Sequence, residues 1–274
     1  MTLVVGVNSD QCAIIAADSR VTSEWRDRMM THVDCCQKVF RIGEATIIGF
    51  CGDLRAIADI LGALSQIYQQ APDLVGVESL FERLPAALRA VWQESRRRSG
   101  FSADLGLIVA GRSHHGSFAM FLCESPSFGP QSVPANTLAI MGSGSSIIEP
   151  ARDDFRRAIP QYMSFDGGRS GPESVVWTIA CFVENRLEER GVASVGRVFH
   201  ACCVDAKGVW RIPYSLARLV DIDKKEVIVG TRIGDRNQWI QYSGDGTEIE
   251  LLSPIDIVSD DNLLRNDRTL QPFE

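Results

Sequence analysis

A hydroxyl residue directly follows the initiator methionine and leads at once into an apolar strand pattern, Thr2-Leu3-Val4-Val5-Gly6-Val7. If Met1 is removed, Thr2 holds a nucleophilic hydroxyl and a free α-amino group in one residue. An α-amino group titrates near pKa ~8, so a sizeable fraction is neutral at neutral pH and can accept the hydroxyl proton. The apolar residues that follow would fix this terminus in a sheet. The segment fits an N-terminal nucleophile, although an ordinary strand after Met-Thr would have the same sequence.

Amide cleavage by a terminal threonine requires three further groups. They are a positive charge near the hydroxyl, a carboxylate that orients this charge, and backbone N–H donors for the oxyanion. Lys38 opens the third strand pattern, Asp18 ends the second, and Gly52 follows the fourth, where a turn into a helix leaves N–H groups unpaired. Each alone fits an ordinary role, as a surface lysine, a turn aspartate or a turn glycine. Together, after a penultimate threonine, they favour a peptidase-like site.

Strand patterns near the start of the chain would position these groups. Residues 2–7 and 12–17 predict one β-hairpin, and residues 38–42 and 45–51 predict a second hairpin around Gly43-Glu44. The polar stretch 19–37 between them predicts a long loop or a short strand. The chain is therefore expected to begin with strands and turns alone.

Two amphipathic helices are predicted after the second hairpin. Apolar residues recur at helical spacing over 54–68, directly after Asp53, whose side chain suits an N-cap or first-turn position. A second apolar stripe, over 77–92, is interrupted at Pro85, which should kink or split the helix. A second block of strands follows, over residues 104–111, 116–123, 132–134 and 138–141.

The rest of the chain predicts two more helices and further strands. A helix over 147–159, with Ser145 or Ser146 as its cap and Pro150 in its first turn, follows Gly142-Ser143-Gly144. The remaining elements are a helix over 172–190, strands over 195–204 and 209–213, a hairpin within 226–252, and a polar tail from residue 260. We expect the tail to be disordered or to wrap a neighbouring chain.

This order of elements does not alternate strand and helix, which disfavours a doubly wound sheet. Two antiparallel sheets flanked by helix pairs, an α+β arrangement, fit the order better. We expect a main domain over residues 1–225 and a C-terminal extension over residues 226–274, with a hairpin and a polar tail. Neither an internal repeat nor a linker marks a domain boundary in the sequence.

Composition limits the classes of function. The 274 residues are 45% hydrophobic, enough for a large core, and the net charge of −7 argues against a nucleic-acid binder. No run approaches the roughly 18–20 apolar residues of a membrane span, and the start lacks a basic secretory signal, so we expect a cytoplasmic protein without membrane contact. Eight cysteines without CxxC spacing predict reduced core thiols. His114-His115 reads as a solvated turn, and no metal or other cofactor is expected.

The chain resembles the proteasome β-subunit family of N-terminal nucleophile (Ntn) hydrolases, which includes the HslV peptidase. The resemblance covers residues 2–213 and rests on residues 2–7, 16–20, 37–42, 49–52 and 141–145, whose order and spacing match. It implies a four-layer αββα sandwich. Within the family, the chain length and the C-terminal extension resemble the betaproteobacterial proteasome homologue most and Anbu next.

The resemblance implies roles for individual residues. Thr2 matches the nucleophile, Asp18 the carboxylate, Lys38 the strand lysine, Gly52 the oxyanion donor, and Ser143 the serine that supports the terminal amine. The substrate-binding positions are occupied by Arg20, Thr22, Phe50 and Leu54. The position of Phe50 lines the first specificity pocket in the family, which implies a preference for apolar residues before the cleaved bond.

One position departs from the family pattern. Ser194 occupies a candidate place for a second catalytic serine after the long helix, but Gly191 stands where the family often has an aspartate three residues earlier. Because that pair helps to hold the terminal amine, either Glu188 or Glu189 replaces the aspartate or the site is weaker.

The resemblance implies a self-compartmentalising threonine peptidase that cleaves peptides or unfolded proteins. It also implies homo-oligomeric stacked rings and leaves room for an ATP-dependent unfoldase partner. Two alternatives remain open. One is an Ntn amidase that acts on a small amide without forming a ring, and the other is a catalytically silent scaffold or adaptor subunit, which Gly191 favours.

Overall fold

The computed structural model describes residues 3–24, 30–70, 76–99, 105–163, 171–190, 195–196, 199–220, 225–242 and 247–259. Thr2, Gly191, Ser194 and the tail from residue 260 lie outside these residues. Within them, two five-stranded antiparallel sheets pack face to face, and helices cover the outer face of each sheet.

The first sheet contains the two strands closest to the N-terminus. Its order is β10 (Thr137–Met141), β1 (Val4–Asn8), β2 (Ala13–Asp18), β11 (Phe199–Asp205) and β12 (Gly208–Ile212). Every residue of β1 and β2 is buried, because one face contacts helices and the other contacts the second sheet. Val5 therefore lies in the core under the helices and Val4 in the core between the sheets, as the twofold strand repeat requires. The predicted first hairpin is confirmed as β1–β2.

The second sheet supplies the strand that follows Lys38. Its order is β5 (Val39–Ile42), β6 (Thr46–Gly52), β7 (Leu105–Arg112), β8 (Phe118–Glu124) and β9 (Gln131–Val133). The predicted second hairpin is confirmed as β5–β6, with its turn at Gly43-Glu44-Ala45. Its inner residues Val39 and Ile47 pack against Ile15 of the first sheet. The two hairpins therefore lie against each other with Asp18 and Lys38 at their ends.

Seven helices and one 3₁₀ turn are present in the described residues. The helices α1 (Leu54–Gln70), α2 (Val77–Phe81) and α3 (Leu84–Ser99) cover the second sheet. The first sheet is covered by α4 (Ser145–Ile148), a 3₁₀ turn (Glu149–Ala151), α5 (Arg152–Met163) and α6 (Gly171–Arg190). The four layers are thus αββα, as the family resemblance implied.

Local signals explain where two of these helices begin. Asp53 Oδ1 accepts a hydrogen bond from the Ala56 amide at 2.9 Å, so Asp53 caps α1 as predicted. The chain is non-helical at residues 82–83, between α2 and α3, and Pro85 is the second residue of α3, so the predicted split is confirmed.

Two local predictions need correction. The helix expected over 147–159 is three consecutive elements, and its N-cap is Gly144 without a side-chain hydrogen bond, so the prediction of Ser145 or Ser146 as the cap was wrong. The stretch 19–37 contains a two-stranded sheet of β3 (Arg20–Glu24) and β4 (Met30–Asp34), which is more ordered than a loop or one short strand.

A fourth sheet, of four strands, follows β12. It comprises β13 (Tyr214–Val220), β14 (Lys225–Ile233), β15 (Trp239–Tyr242) and β16 (Glu248–Glu250), and α7 (Pro254–Ser259) comes after it. The hairpin predicted within 226–252 is part of this larger sheet. The β13–β14 pair lies on both sides of residue 225, where the division between main domain and extension was placed. Trp239 and Leu251 are buried in the core between the two main sheets, so the extension packs firmly against the sandwich.

None of the helices in the described part of the chain is both long enough and apolar enough to cross a membrane.

Candidate active site

Asp18 and Lys38 form a buried ion pair at the ends of the two hairpins. Lys38 Nζ lies 3.1 Å from Asp18 Oδ1 and donates a second hydrogen bond, of 2.5 Å, to the carbonyl oxygen of Arg20. Only 3% of the Lys38 side chain and 0% of the Asp18 side chain are exposed. Removing either partner would leave an uncompensated charge in the interior, which is costly, so the arrangement holds both groups in place.

The Asp18 carboxylate is bonded to three backbone amides in addition to Lys38. Oδ1 accepts from the Leu3 amide at 2.8 Å, and Oδ2 accepts from the amides of Gly196 at 2.9 Å and Arg20 at 3.2 Å. The Asp18 amide in turn donates to the Leu3 carbonyl at 3.1 Å. Leu3, the residue that follows Thr2 in the chain, is thus fixed to the same carboxylate as the lysine.

His200 holds the backbone from which Lys38 extends. Its Nε2 atom accepts hydrogen bonds from the amides of Lys38 at 2.7 Å and Val39 at 3.1 Å. Burial, followed by the positive charges of Lys38 and Arg211, lowers the pKa of His200 to about 3. The imidazole is therefore neutral near neutral pH, with Nε2 as the acceptor and the proton on Nδ1.

His200 and Gly196 were not among the site residues predicted from the sequence. A histidine among apolar residues in the strand 199–204 was a visible signal, but nothing in the sequence identifies its partners. Gly196 follows the predicted Ser194 closely in the chain, yet its amide is what reaches the Asp18 carboxylate.

The Gly142-Ser143-Gly144 turn lies against the N-terminal strand. A Cβ atom on Gly144 would lie 2.7 Å from Val195 Cγ2 and 2.9 Å from Leu3 Cβ, so only glycine permits this approach. Ser143 is exposed in this turn. Leu3, Gly144 and Val195 thus meet, and each is a chain neighbour of a predicted site residue, namely Thr2, Ser143 and Ser194. Thr2 and Ser194 themselves lie outside the described residues.

Gly52 is the last residue of β6 and is exposed. Its φ of 125° is one that residues with a side chain rarely adopt. Two residues earlier, the Phe50 amide donates to the Lys38 carbonyl at 3.2 Å, which pairs this strand end with the lysine segment. The predicted oxyanion donor therefore lies on the strand beside Lys38.

The predicted substrate-binding residues are in two kinds of environment. The Arg20 guanidinium makes two hydrogen bonds of 2.7 Å to Asp34, and only 14% of its side chain is exposed. Thr22 is half-buried in β3. Arg20 is therefore committed to an ion pair that braces the β3–β4 hairpin.

Phe50 and Leu54 lie on either side of Gly52. Phe50 is 3% exposed and stacks on Phe40 in the core under α1–α3, with ring centroids 5.5 Å apart. Leu54 is half-buried and packs in a different cluster, with Cys36 and Ile257. The role of both residues in a specificity pocket remains a prediction.

The cysteines are free thiols and the histidine pair lies in an exposed turn, as predicted. All eight cysteines are free thiols, and burial raises the pKa of Cys51, which precedes Gly52, to about 11. A thiol held protonated in this way is a poor nucleophile. His114 lies in an exposed turn, with its Nε2 atom 2.7 Å from Ser79 Oγ. Across the described ranges, the His, Cys, Asp and Glu side chains form no group of three that could hold a metal ion.

The family model described as "Proteasome subunit" matches residues 2–157, more than half of the chain. This range contains Thr2, Asp18, Lys38, Gly52 and Ser143. No curated protein matches the chain.

Proposed function

The chain belongs to the proteasome subunit family, and from that premise we propose that it is an active threonine peptidase. Thr2, exposed by removal of Met1, is the nucleophile. Asp18, Lys38, Gly52, Ser143 and Ser194 complete the site. The substrate is a peptide or an unfolded protein, and the reaction needs no cofactor.

In the proposed reaction, Thr2 Oγ attacks the carbonyl carbon of a peptide bond while the α-amino group of Thr2 takes the hydroxyl proton. The Gly52 amide donates to the oxyanion of the tetrahedral intermediate. The carbon–nitrogen bond then breaks, the proton passes from the α-amino group to the leaving amine, and an ester to Thr2 remains. Water attacks this ester, the amine of Thr2 again takes the proton, and the acid product leaves as Thr2 regains its hydroxyl.

Lys38 and Asp18 act on the first of these steps. A fixed ammonium close to Oγ stabilises the negative charge that develops as the proton leaves the hydroxyl. Asp18 positions that ammonium and fixes Leu3 through its amide. No reorganisation is needed when the charge develops, because both partners are already held in a buried, fully bonded arrangement.

One observation carries the proposal: the Leu3 amide and the Lys38 ammonium bond to the same atom, Asp18 Oδ1, at 2.8 Å and 3.1 Å. The residue after Thr2 is therefore bonded to the same carboxylate oxygen as the lysine that the proposed mechanism places near the Thr2 hydroxyl. A structural ion pair alone would not require the chain terminus to be fixed to it.

Turnover of a fluorogenic peptide by the Thr2 variants tests this function. Thr2→Ala should abolish cleavage, and Thr2→Ser, which keeps both the hydroxyl and the amine, should restore part of it. Full activity of Thr2→Ala would overturn the proposal.

We further propose that copies of the chain assemble into stacked rings in the cytoplasm. A closed ring would keep the open threonine away from folded proteins, and an ATP-dependent unfoldase partner would unfold such proteins before they enter. An Ntn amidase acting on a small amide would not need this enclosure.

Gly191 supports the one alternative that keeps the family but not the activity, a catalytically silent subunit. An acylating inhibitor separates the two. It adds to Thr2 of an active peptidase and leaves a silent subunit unmodified.

A further inference from the structure

The C-terminal segment pairs with the residues that precede Lys38. The Leu252 amide donates to the Cys35 carbonyl at 2.8 Å, and the Gln37 amide donates to the Leu252 carbonyl at 2.8 Å. These two bonds form a parallel β-bridge between Cys36 and Leu252. The extension is thus attached by its backbone within two residues of the lysine.

The helix α7 contributes one side chain, that of Ile257, to an apolar cluster that includes residues just before Lys38. Ile257 is 1% exposed and packs with Cys35 and Cys36. The half-buried side chains of Val21, Leu54 and Leu252 surround this cluster. Ser253 fixes the start of the helix, since its carbonyl accepts from the Ile257 amide at 3.0 Å and its hydroxyl accepts from the Asp256 amide at 3.2 Å.

Three residues of this cluster are close in the chain to the candidate active site. Val21 follows Arg20, whose carbonyl accepts from the Lys38 ammonium. Cys36 precedes Lys38 by two residues, and Leu54 follows Gly52 by two residues. The apolar cluster therefore adjoins both the lysine and the predicted oxyanion donor.

The cluster is apolar throughout, which suits contact with an apolar side chain. Its members are aliphatic residues and thiols, and burial raises the pKa of Cys35 to about 11, so the thiol stays uncharged. Val21, Leu54 and Leu252 keep part of their surface accessible, whereas Ile257 and Cys36 are buried.

Resting on the proposed peptidase function, we propose that Ile257 forms the floor of the pocket for the substrate side chain that precedes the cleaved bond, and limits it to small apolar side chains. The C-terminal extension thus determines cleavage specificity. Shortening Ile257 to alanine removes three carbon atoms from the floor, and a leucine side chain of the substrate can fill the space. An apolar pocket of this kind discriminates by roughly 10–200-fold for each methylene it gains or loses.

Three fluorogenic peptides that differ only in the residue before the cleaved bond, alanine, leucine or phenylalanine, test this inference. The wild-type chain should cleave the alanine peptide with the highest kcat/KM. In Ile257→Ala, the ratio of kcat/KM for the leucine peptide to that for the alanine peptide should rise by at least about tenfold. Ile255→Ala is the matched control, because Ile255 lies on the same helix but is 44% exposed, and its profile should equal that of the wild type.

The outcomes separate the inference from the function on which it rests. Wild-type chain that cleaves none of the peptides overturns the proposed function and the inference with it. The inference alone is overturned if the active wild-type chain prefers the leucine or the phenylalanine peptide. It is also overturned if the leucine-to-alanine ratio of kcat/KM is unchanged in Ile257→Ala. If Ile257→Ala does not fold, Ile257→Val decides, since loss of one methyl group should raise the ratio by a smaller amount and an unchanged ratio would contradict the inference.

Discussion

The Nε2 atom of His200 lies 2.7 Å from the backbone nitrogen of Lys38. The imidazole of His200, on β11 of the first sheet, therefore fixes the backbone of Lys38, which directly precedes β5 of the second sheet. Because the same atom also accepts from Val39, the lysine backbone cannot shift without breaking two hydrogen bonds in a buried environment. His200 is a positioning residue in this account, since it acts on the site through Lys38.

Two replacements of His200 should show whether its role is to accept hydrogen bonds from the Lys38 and Val39 amides. His200→Leu leaves two buried amides without an acceptor, so unfolding free energy should fall by about 1–3 kcal/mol for each and kcat should fall with KM little changed. His200→Gln offers an amide oxygen at a similar reach and should recover much of kcat. Steady-state kinetics and denaturant unfolding measure both effects. If His200→Gln and His200→Leu lose kcat equally, the acceptor role is wrong.

The low pKa of His200 also predicts a pH dependence of stability. The folded group has a pKa of about 3, against an ordinary value of 6.5, so between these values the unfolded chain binds a proton that the folded chain does not. The stabilisation is complete above the ordinary value and is lost as the pH falls toward about 3, with a slope of at most about 1.4 kcal/mol per pH unit.

Unfolding titrations at several pH values in this window check that prediction. His200→Gln should have a flatter dependence than the wild type, since it lacks the titrating group. His114→Gln is the control, because His114 is exposed, and its dependence should follow the wild type. Identical slopes for His200→Gln and the wild type would show that His200 does not titrate as described.

Replacing Lys38 and replacing Asp18 should lower the free energy of unfolding by different amounts. Lys38→Met removes the charge but leaves Asp18 bonded to the amides of Leu3, Arg20 and Gly196. Asp18→Asn leaves a buried ammonium unpaired and turns an amide NH₂ group toward N–H donors, so it should destabilise more, by about 3–5 kcal/mol. Both variants should lose turnover by at least about 100-fold.

Denaturant unfolding and peptide turnover measure these losses. Arg157→Met is a control for loss of a cation, since its ion pair with Asp154 is exposed at both ends and should contribute little. A larger loss of stability in Lys38→Met than in Asp18→Asn would contradict the role assigned to Asp18.

Gly144→Ala should reduce turnover because the added methyl group would collide with Leu3. The added methyl group would lie within 2.9 Å of Leu3 Cβ and must displace the strand start that follows Thr2. Gly62→Ala provides the control, because nothing lies within 4 Å of its added methyl group, and in helix α1 it should stabilise by about 0.5–1 kcal/mol. Gly144→Ala with undiminished kcat/KM would show that this contact does not position the terminus.

Assembly into rings predicts a large particle. Sedimentation velocity should give a mass many times that of the 30.2 kDa chain. A monomer that still cleaves peptides would favour the small-amide Ntn amidase over the ring-forming peptidase.

Much of the fold follows from local sequence signals. The β1–β2 and β5–β6 hairpins are short apolar runs joined by turn residues, and α1 has both a helical repeat and the Asp53 cap. Such signals are contained within one element and need no tertiary information. The geometry of Asp18 and Lys38 was anticipated because each residue sits at the end of a predictable strand.

Other features depend on tertiary contacts that local patterns do not encode. The β3–β4 pair was missed because most of its residues are polar, and the Arg20–Asp34 ion pair joins its two strands. His200 was missed because its hydrogen-bond partner is 162 residues away in the chain. The position of α7 depends on a β-bridge at Leu252 and on packing against α1, neither of which a periodicity reveals.

Intact-mass analysis of the purified chain, before and after treatment with an acylating inhibitor, tests the central claim most directly. The account predicts that the untreated chain lacks Met1, that treatment adds one inhibitor group per chain, and that peptide mapping locates it on Thr2. Lys38→Met should acquire the group far more slowly. A mature chain that retains Met1, or an adduct that forms equally well in Thr2→Ala, would contradict the account.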